Sequence, residues 1–446
     1  MSCLDRASAN TPLVNWMATY LSVVAVLSVS LSVQADITDL RVNMDRIEQH
    51  IMELAEFGKN AEGGVSRVAF SQDDLAGREY IITLMEAAGL EVRIDTAGNL
   101  IGRREGQENL PVIMFGSHSD SVPGGGNYDG NVGVMGAIEV AQVLHENELV
   151  TRHPLEVVVF VDEEGGLVGS RAMIGELSDQ ALDVVSHSGL TIAEGIRAVG
   201  GNPKRLDKAR RKPGDLAAFI ELHIEQGAVL DDLGIDIGVV EGIVGIQWWD
   251  VTIEGFANHA GTTPMDKRND ALLAAAELIQ AINRVITSEP GTQVGTVGRI
   301  SAEPGAPNVI PGKVVMSLEI RDLSAEKIKM LYDRVFAEAQ KIGMKYKTPF
   351  TFQHIDVDAV PAPTDERMRA IIAGAAESLG LSYKLMPSGA GHDAQDMARI
   401  APTGMIFVPS VGGISHSPRE FTRPQDMANG ADVLLRTILK LDEAGL

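Results

Sequence analysis

The stretch that decides the fold reads VVVFVDEEGG and covers residues 157–166. Five apolar residues in a row, four of them β-branched, predict a strand that is buried on both faces. Asp162, Glu163 and Glu164 follow directly, and adjacent carboxylates at a buried strand end are costly unless cations or protons compensate them. A solvated loop is the alternative interpretation of these acids, and the stretch alone does not exclude it.

Three further apolar runs lead to histidines. Residues 112–115 lead to His118, residues 219–222 to His223, and residues 405–408 to the loop that holds His416. In α/β folds, buried strands alternate with helices, and ligands gather beyond the carboxyl ends of the strands. We therefore predict an α/β fold with a mixed, mostly parallel sheet and a site at its carboxyl edge.

The segment 246–358 follows a different pattern. It predicts a strand, a helix, two strands, a second helix and a last strand. This βαββαβ order is typical of a ferredoxin-like unit. We interpret it as a domain inserted into the first one, which would then consist of residues 36–245 and 359–446.

The N-terminus has the pattern of an export signal. Residues 13–33 are mostly apolar and uncharged, Arg6 precedes them, and the sequence VQA at 33–35 suits a cleavage site. We expect residues 1–35 to be a signal peptide, the mature protein to be secreted or periplasmic, and no membrane contact after cleavage. A retained membrane anchor is the alternative, because the uncharged stretch is long enough to span a bilayer.

Composition excludes several classes of function. The 446 residues carry 38 basic and 61 acidic side chains, a formal charge of −23, and a surface this acidic would repel nucleic acid. Cys3 is the only cysteine, so the body of the chain has neither a cysteine nucleophile nor a thiolate-bound zinc. Any metal must therefore be held by His, Asp and Glu side chains.

Two features near His118 suit a metal site. A metal-bound imidazole needs an acceptor for its other nitrogen, and Asp120, two residues on, can supply one. Asp129 lies in the turn GGGNYDG at 124–130, whose flexible backbone would let one carboxylate approach two cations. Either feature alone is weak, since a lone histidine or a glycine-rich turn is more often structural.

Taken together, these residues resemble a known family, the M20-related amidohydrolases. The resemblance is to the branch of N-carbamoyl-L-amino acid hydrolases, allantoate amidohydrolases and ureidoglycolate amidohydrolases. The matching motifs are GSHSDSVPGGGNYDGNVGV from Gly116, DEEG from Asp162, ELHIEQG from Glu221, NHAGTTPM from Asn258, APNVIPG from Ala306, EIRD from Glu319, GAGHDA from Gly389 and SHSP from Ser415. They cover essentially everything after the signal segment. Each motif alone is weak, but the ordered set is specific.

The resemblance implies a metallopeptidase-like catalytic domain with two divalent metal ions per subunit. The ions would be zinc, or manganese, cobalt or nickel, and availability would decide among them. The implied metal ligands are His118, Asp129, Glu164, His223 and His416, with Asp129 shared by both ions. Glu163 would be the general base and later the acid, and Asp120 would complete the catalytic set. The inserted domain would serve as lid and dimerisation domain of a homodimer.

The resemblance also implies a set of substrate-binding residues. These are Gln226, His259, Asn308, Arg321, Gly391 and His392. His259 would donate a hydrogen bond to the developing oxyanion, from the same chain or from the partner subunit. Gln226, Asn308 and Arg321 would hold the substrate carboxylate, which a guanidinium binds through two hydrogen bonds. Taken alone, Arg321 could be an ordinary surface ion pair and Asn308 a turn cap.

The implied reaction is hydrolysis of a C–N bond in a small ureido or N-carbamoyl compound that carries a carboxylate. Two departures from the family pattern bear on the substrate: the segment after Glu164 is short, and residues 247–249 read QWW where allantoate-type members tend to have an arginine. The second departure favours an N-carbamoyl-L-amino acid over allantoate, and ureidoglycolate stays an alternative substrate. An M20 di- or aminopeptidase and a non-enzymatic binding protein are the rival interpretations, although a binding protein should have lost a ligand or Glu163.

Overall fold

A computed structural model describes residues 39–355 and 359–444 of the chain. The predicted signal segment at 1–35 and the predicted end of the inserted domain at 358 lie outside the described residues. Within the part of the chain that is described, no helix is both long and apolar enough to cross a membrane.

The described residues form eleven α-helices and sixteen strands, which are numbered in chain order. The helices are α1 Met44–Leu54, α2 Gln72–Ala87, α3 Asn131–Glu146, α4 Val168–Ile174, α5 Ile192–Ala198, α6 Val229–Leu233, α7 Ala271–Thr287, α8 Ala325–Tyr346, α9 Glu366–Ser378, α10 Asp393–Met397 and α11 Pro424–Ala444. The strands are β1 Glu91–Ile94, β2 Leu100–Arg104, β3 Val112–His118, β4 Leu155–Phe160, β5 Leu216–Ile224, β6 Ile237–Ile243, β7 Gly245–Glu254, β8 Asn258–His259, β9 Val294–Thr296, β10 Ile300–Glu303, β11 Val309–Ile310, β12 Lys313–Asp322, β13 Phe350–Ile355, β14 Ala362–Pro363, β15 Tyr383–Ser388 and β16 Thr403–Val408.

The larger sheet has nine strands in the order β1-β2-β4-β3-β5-β16-β6-β14, with β15 also paired to β6. Strands β4, β3, β5 and β16 are parallel neighbours, and β15 is parallel to β6. The pairings β1–β2, β2–β4, β16–β6 and β14–β6 are antiparallel. The predicted α/β fold with a mixed sheet is confirmed. Four of the eight strand pairings are parallel and four are antiparallel, so the finer expectation of a mostly parallel sheet is not confirmed.

The central four strands are the four apolar runs of the sequence. Every residue of β3, β4 and β16 is buried, as expected for strands covered on both faces. Gly116 in β3 has a φ of +152°, and a Cβ there would lie 1.9 Å from the carbonyl oxygen of Val158 in β4. Only glycine lets these two strands pair so closely just before β3 reaches His118.

Two groups of helices cover the central strands. Helices α3 and α11 pack against each other and against the sheet, and α1 packs against both of them. Helices α4 and α10 also pack together, α4 against β4 and α10 against β5 and β16. Helix α3 is buried along most of its length and begins two residues after Asp129. It therefore anchors the turn that carries this carboxylate.

The smaller sheet has five antiparallel strands in the order β10-β12-β7-β13, with β9 also paired to β12. Helices α7 and α8 pack against each other and against β12. A hydrophobic core of its own joins the two helices to this sheet, with Val251, Leu278, Leu318 and Leu331 among its fully buried members. Strands β8 and β11, which lie between β7 and β12 in the sequence, form a separate two-stranded sheet.

Candidate active site

Neighbouring strand ends bring the candidate residues together. Strand β3 ends at His118, β5 carries His223 as its penultimate residue, and β4 ends two residues before Asp162. Because these strands are parallel neighbours, their carboxyl ends meet at one edge of the sheet. The loop after β16 adds His416 to the same edge.

A first group of possible metal ligands consists of His118, Asp129 and His223, all buried and with ligand atoms within 4.8 Å of one another. Asp129 Oδ1 lies 3.0 Å from His223 Nε2 and 3.7 Å from His118 Nε2. The Nδ1 atoms of His118 and His223 lie 3.1 and 2.9 Å from the carbonyl oxygens of Asp120 and Ile224. A carbonyl can only accept a hydrogen bond, so Nδ1 of each ring carries a proton and Nε2 is the atom turned toward Asp129.

A second group consists of Asp129, Glu164 and His416, again with ligand atoms within 4.8 Å of one another. Asp129 Oδ2 lies 3.1 Å from His416 Nε2, and Glu164 Oε2 lies 3.6 Å from the same nitrogen. Asp129 therefore directs one carboxylate oxygen to each group. Glu164 Oε1 is buried and has no hydrogen-bond partner among the described residues. A buried unpaired carboxylate oxygen is costly, and a cation would compensate it.

The backbone is strained at this edge of the sheet. Asp162, Gln226 and His416 have φ values of 54°, 59° and 52°, in the left-handed region that side chains other than glycine seldom adopt. Such conformations cost about 1–3 kcal/mol each and cluster at functional sites. Strain at these positions supports a functional role for the strand ends.

The charges of the two groups are tightly linked. Although burial acts to raise it, hydrogen bonds with His223 and His416 hold the pKa of Asp129 well below its usual value. The hydrogen bond between His416 and Asp129 raises the pKa of His416 to about 9. Burial acts to lower the pKa of His223, but the hydrogen bond between His223 and Asp129 raises it to about 9. Burial, helped by the charge of Asp129, raises the pKa of Glu164 to about 8.

Metal binding is therefore expected to release protons. At pH 7 His223, His416 and Glu164 hold protons that a cation must displace, so the affinity should rise as the pH increases toward about 9. Calorimetric titration with zinc, in buffers of different ionisation enthalpy, measures the number of protons released. Heats that do not depend on the buffer would contradict this expectation.

Glu163 lies beside the first group but belongs to neither. Its Oε2 is 3.9 Å from His118 Nε2, and its side chain is only 9% exposed. Burial, with the charges of Asp393 and Glu164, raises the pKa of Glu163 well above its usual value. A carboxylate in this setting accepts a proton readily, which is what a general base requires. The burial of this side chain also rules out the solvated-loop interpretation of the sequence.

Asp120 is buried, but the prediction that its carboxylate accepts a hydrogen bond from the imidazole of His118 was wrong. Its carboxylate lies 3.7 Å from His118 Nδ1. The backbone carbonyl oxygen of Asp120 lies 3.1 Å from the same nitrogen and accepts its hydrogen bond. The carboxylate instead accepts the backbone N–H groups of Glu163 and Glu164, at 3.3 and 3.2 Å. Those two N–H groups lie in a tight turn and need acceptors. The carboxylate of Asp120 therefore orients the two glutamates, and its carbonyl oxygen orients the imidazole.

Glu420 is a supporting residue that the sequence did not reveal. Its Oε1 accepts the backbone N–H groups of Tyr128 and Asp129, at 2.9 and 3.0 Å. Its Oε2 accepts the hydroxyl of Ser415 at 2.8 Å and the N–H of His416 at 3.2 Å. Glu420 thus fixes both loops of the second group. Its place four residues after His416 is the only signal in the sequence, and that signal is weak.

Glycine is required where the Asp129 turn meets the first histidine. Gly130 has a φ of +66°, and a Cβ there would lie 2.6 Å from the ring of His118. The buried Arg67 holds the loop from the other side: its Nε donates to Ser119 O and its Nη2 to Asn131 Oδ1, at 2.9 and 3.1 Å. Both contacts keep His118 and Asp129 close together.

A cleft of about 580 Å³ opens over both groups. Besides the five possible ligands and Glu163, its lining includes Gln226, Trp248, Arg321, Gly391 and His392. Trp248 and Arg321 come from β7 and β12, so the smaller sheet forms part of the wall. The structure therefore brings four of the six predicted substrate-binding residues to the cleft.

The polar side chains of the cleft already have partners. Gln226 Nε2 donates to Asp129 Oδ2 at 2.8 Å. Arg321 donates to Glu319 at 2.8 and 3.2 Å and, through Nη1, to Gly389 O at 2.7 Å. His392 bonds through Nε2 to Ser388 Oγ, at 2.9 Å, and its buried Nδ1 has no hydrogen-bond partner among the described residues.

His259 and Asn308 lie elsewhere. They are exposed at the two-stranded sheet, where His259 pairs with Val309, the residue after Asn308. Neither lines the cleft of its own chain. His259 Nδ1 accepts the N–H groups of Gly261 and Thr262, at 3.0 and 3.2 Å, so the neutral ring carries its proton on Nε2. The two residues are neighbours that present polar atoms to solvent.

Comparisons with known proteins agree with this site. The model of Peptidase family M20/M25/M40 matches residues 114–440. An N-carbamoyl-L-amino acid amidohydrolase of Geobacillus stearothermophilus is 42% identical, over 89% of this chain and 98% of its own length. A ureidoglycolate hydrolase of Arabidopsis thaliana is 40% identical, over 91% of this chain and 88% of its own.

A solved structure supports the same assignment. An amidase of the hydantoinase/carbamoylase family from Burkholderia multivorans superposes with a TM-score of 0.84, at 34% identity, over 91% of this chain and all of the other. The recognised family resemblance is thus confirmed by sequence and by fold. On these grounds the chain is a member of peptidase family M20/M25/M40.

Proposed function

We propose that the protein is a hydrolase with two divalent metal ions that cleaves the carbamoyl C–N bond of an N-carbamoyl-L-amino acid. One observation carries the proposal: the two oxygens of Asp129 point to two separate groups of possible ligands, beside a buried glutamate and beneath an arginine. The curated relatives named above act on N-carbamoyl amino acids or ureidoglycolate, which share a carboxylate next to a ureido group.

The donor atoms fit divalent cations. Imidazole nitrogens and carboxylate oxygens suit zinc, manganese, cobalt and nickel, and Glu164 Oε1 lacks any other partner among the described residues. His118 and His223 would hold one ion, Glu164 and His416 the other, and Asp129 both. Cations bound here would polarise the carbonyl group and lower the pKa of a coordinated water.

Glu163 then moves the proton. It takes a proton from the attacking water as the new C–O bond forms, and it returns this proton to the amino-acid nitrogen as the C–N bond breaks. The products are the free amino acid and carbamic acid, which decomposes to ammonia and carbon dioxide. Asp120 keeps the Glu163–Glu164 turn in place through its two backbone hydrogen bonds.

Arg321 and Gln226 hold the substrate carboxylate. Arg321 lines the cleft, and its Nη1 donates to Gly389 O. A substrate carboxylate can replace Gly389 O as the acceptor of this hydrogen bond. Gly391 and His392 line the same wall. These groups recognise a carboxylate and a ureido group without regard to the third substituent.

A panel of substrates tests this function against its rivals. The purified protein, supplied with zinc or manganese, is offered N-carbamoyl-L-amino acids, ureidoglycolate, allantoate and dipeptides, and ammonia and free amines are assayed. Hydrolysis of N-carbamoyl-L-amino acids is the expected result. Cleavage of dipeptides alone would make the protein a peptidase, and preference for allantoate or ureidoglycolate would make it an enzyme of those compounds.

The inserted unit at 246–358 acts as the lid and dimerisation domain of a homodimer. The role of a lid is supported by Arg321 and Trp248, which line the cleft, and that of a dimerisation domain by His259 and Asn308, which are exposed and do not line the cleft of their own chain. The partner subunit supplies these two residues to the site. There the Nε2–H of His259 donates to the oxyanion, a contact worth about 3–4 kcal/mol in the transition state.

Mixing two inactive variants tests this arrangement. His259→Ala and Glu163→Gln dimers are expected to be inactive separately. After denaturation and refolding together, a mixed dimer has one complete site, so about a quarter of the wild-type activity should return. If His259 acts within its own chain, mixing restores nothing.

The predicted signal peptide makes this an enzyme that works outside the cytoplasm. N-terminal sequencing of the protein recovered from that compartment is expected to begin at Asp36. A protein that keeps residues 1–35 and sediments with membranes would support the anchor instead.

A further inference from the structure

A second cavity adjoins the cleft. It measures about 540 Å³ and lies where β15 and the start of α6 face the loop that precedes β9. Gln226 and Ala390 line both this cavity and the cleft over the metal groups. Gly389 also lines the cavity, and its carbonyl oxygen accepts a hydrogen bond from Arg321 Nη1. Under the proposed function, the substrate carboxylate binds Arg321 at the wall between the two spaces.

The exposed surface of the cavity is mainly apolar, although polar and apolar residues contribute to its lining in equal number. Val229, Leu385, Met386 and Pro387 line it, and Val229 and Leu385 remain 42% and 49% exposed because none of the described residues fills the space. Exposed large aliphatic side chains that line a concave surface are typical of ligand pockets rather than of ordinary protein surface.

The charged side chains that line the cavity do not favour the binding of an ion. The carboxylate of Glu225 is already occupied, since it accepts the N–H groups of Val229 and Leu230 at 2.8 Å each. Glu241 and Lys384 carry opposite charges and are partly exposed. A neutral, apolar group therefore suits this cavity best.

The geometry points to a specificity pocket: we propose that this cavity, called the side-chain pocket, receives a large apolar side chain of the N-carbamoyl-L-amino acid. The assignment rests on the proposed function. The substrate Cα bears a ureido group, a carboxylate and one further substituent. With the ureido group at Asp129 and the carboxylate at Arg321, the third substituent lies beside Ala390, at the entrance to this pocket.

The pocket also separates the candidate substrates. In ureidoglycolate the third substituent is a hydroxyl group, and in allantoate it is a second ureido group. Either would place polar atoms against Val229, Leu385 and Met386, whose side chains offer no hydrogen bonds, and this costs binding free energy. An aliphatic side chain such as that of leucine removes the same apolar surface from water.

Substrate preference and pocket-filling variants test the assignment. Wild-type protein is expected to hydrolyse N-carbamoyl-L-leucine with a kcat/KM at least about tenfold above that for N-carbamoylglycine. Leu385→Trp or Val229→Trp fills the pocket and should bring this ratio to within about threefold of one. Leu233→Trp is the matched control, because Leu233 is 59% exposed on the same short helix as Val229 but does not line the pocket.

A binding measurement gives a readout that does not need turnover. With the Glu163→Gln variant, calorimetry should show tighter binding of N-carbamoyl-L-leucine than of N-carbamoylglycine, and Leu385→Trp should remove the difference. Equal rates on the two substrates in the wild type, or pocket variants that behave like Leu233→Trp, would overturn the side-chain pocket alone. Failure to hydrolyse any carbamoyl substrate would overturn the proposed function, and the pocket assignment with it.

Discussion

Replacement of Glu163 by glutamine is expected to lower kcat by about 10²- to 10⁴-fold, the usual contribution of a general base. Glutamine keeps the size of the side chain but cannot accept the proton of the attacking water. Metal content should not change, because Glu163 belongs to neither group of possible ligands. Nor should the melting temperature fall, since burial and the neighbouring acids already disfavour the charged form of Glu163.

Two measurements complete this prediction. Metal content by atomic emission separates loss of chemistry from loss of the ions. Glu105→Gln is the matched control: this side chain is 73% exposed, and its variant should keep full activity. A Glu163→Gln protein that binds its metals and turns over at the wild-type rate would remove Glu163 from the mechanism.

Replacement of Asp129 by asparagine should remove both metal binding and activity, because it acts on both metal groups at once. Loss of residues that merely orient metal ligands lowers affinity by about 10- to 100-fold, so loss of the shared charge should exceed that. We expect the Asp129→Asn protein to retain almost no metal after dialysis and to show no activity above background. Glu164→Gln, which alters one group only, should lose one ion and keep the other.

Controls separate metal loss from misfolding. The far-ultraviolet circular dichroism of Asp129→Asn should match that of the wild type, because its backbone stays fixed by Glu420 and α3. Asp266→Asn, a change at a side chain that is 74% exposed, should retain both ions and full activity. Equal metal loss in Asp129→Asn and Glu164→Gln would argue against a shared ligand.

The sequence predicted the parts of the site that depend on residue type and burial. Runs such as residues 157–161 can only be stable as covered strands, and covered parallel strands must end at a common edge. His118, His223 and Glu164 follow such runs directly, so their convergence could be expected. Assignment of Asp129 and His416 relied on the family resemblance, because the turns that hold them carry no comparable signal.

The sequence could not predict contacts made through the backbone. The carboxylate of Asp120 accepts two N–H groups of a turn 43 and 44 residues away, although it lies only two residues from His118. Glu420 likewise acts on the backbone of Asp129 and His416. Such hydrogen bonds depend on how loops fold over the sheet, and neither spacing nor residue type records this. The antiparallel outer strands were missed because short edge strands lack a distinctive pattern.

The central claim is that the carboxylate of Asp129 holds two cations, one on each side. Anomalous diffraction from crystals of the zinc-loaded protein tests it most directly. Two anomalous peaks per chain are expected, both beside Asp129, one contacting His118 and His223 and the other contacting Glu164 and His416. A single peak, or a peak among Glu221, His223 and His392, which also offer ligand atoms within 4.8 Å of one another, would contradict the account.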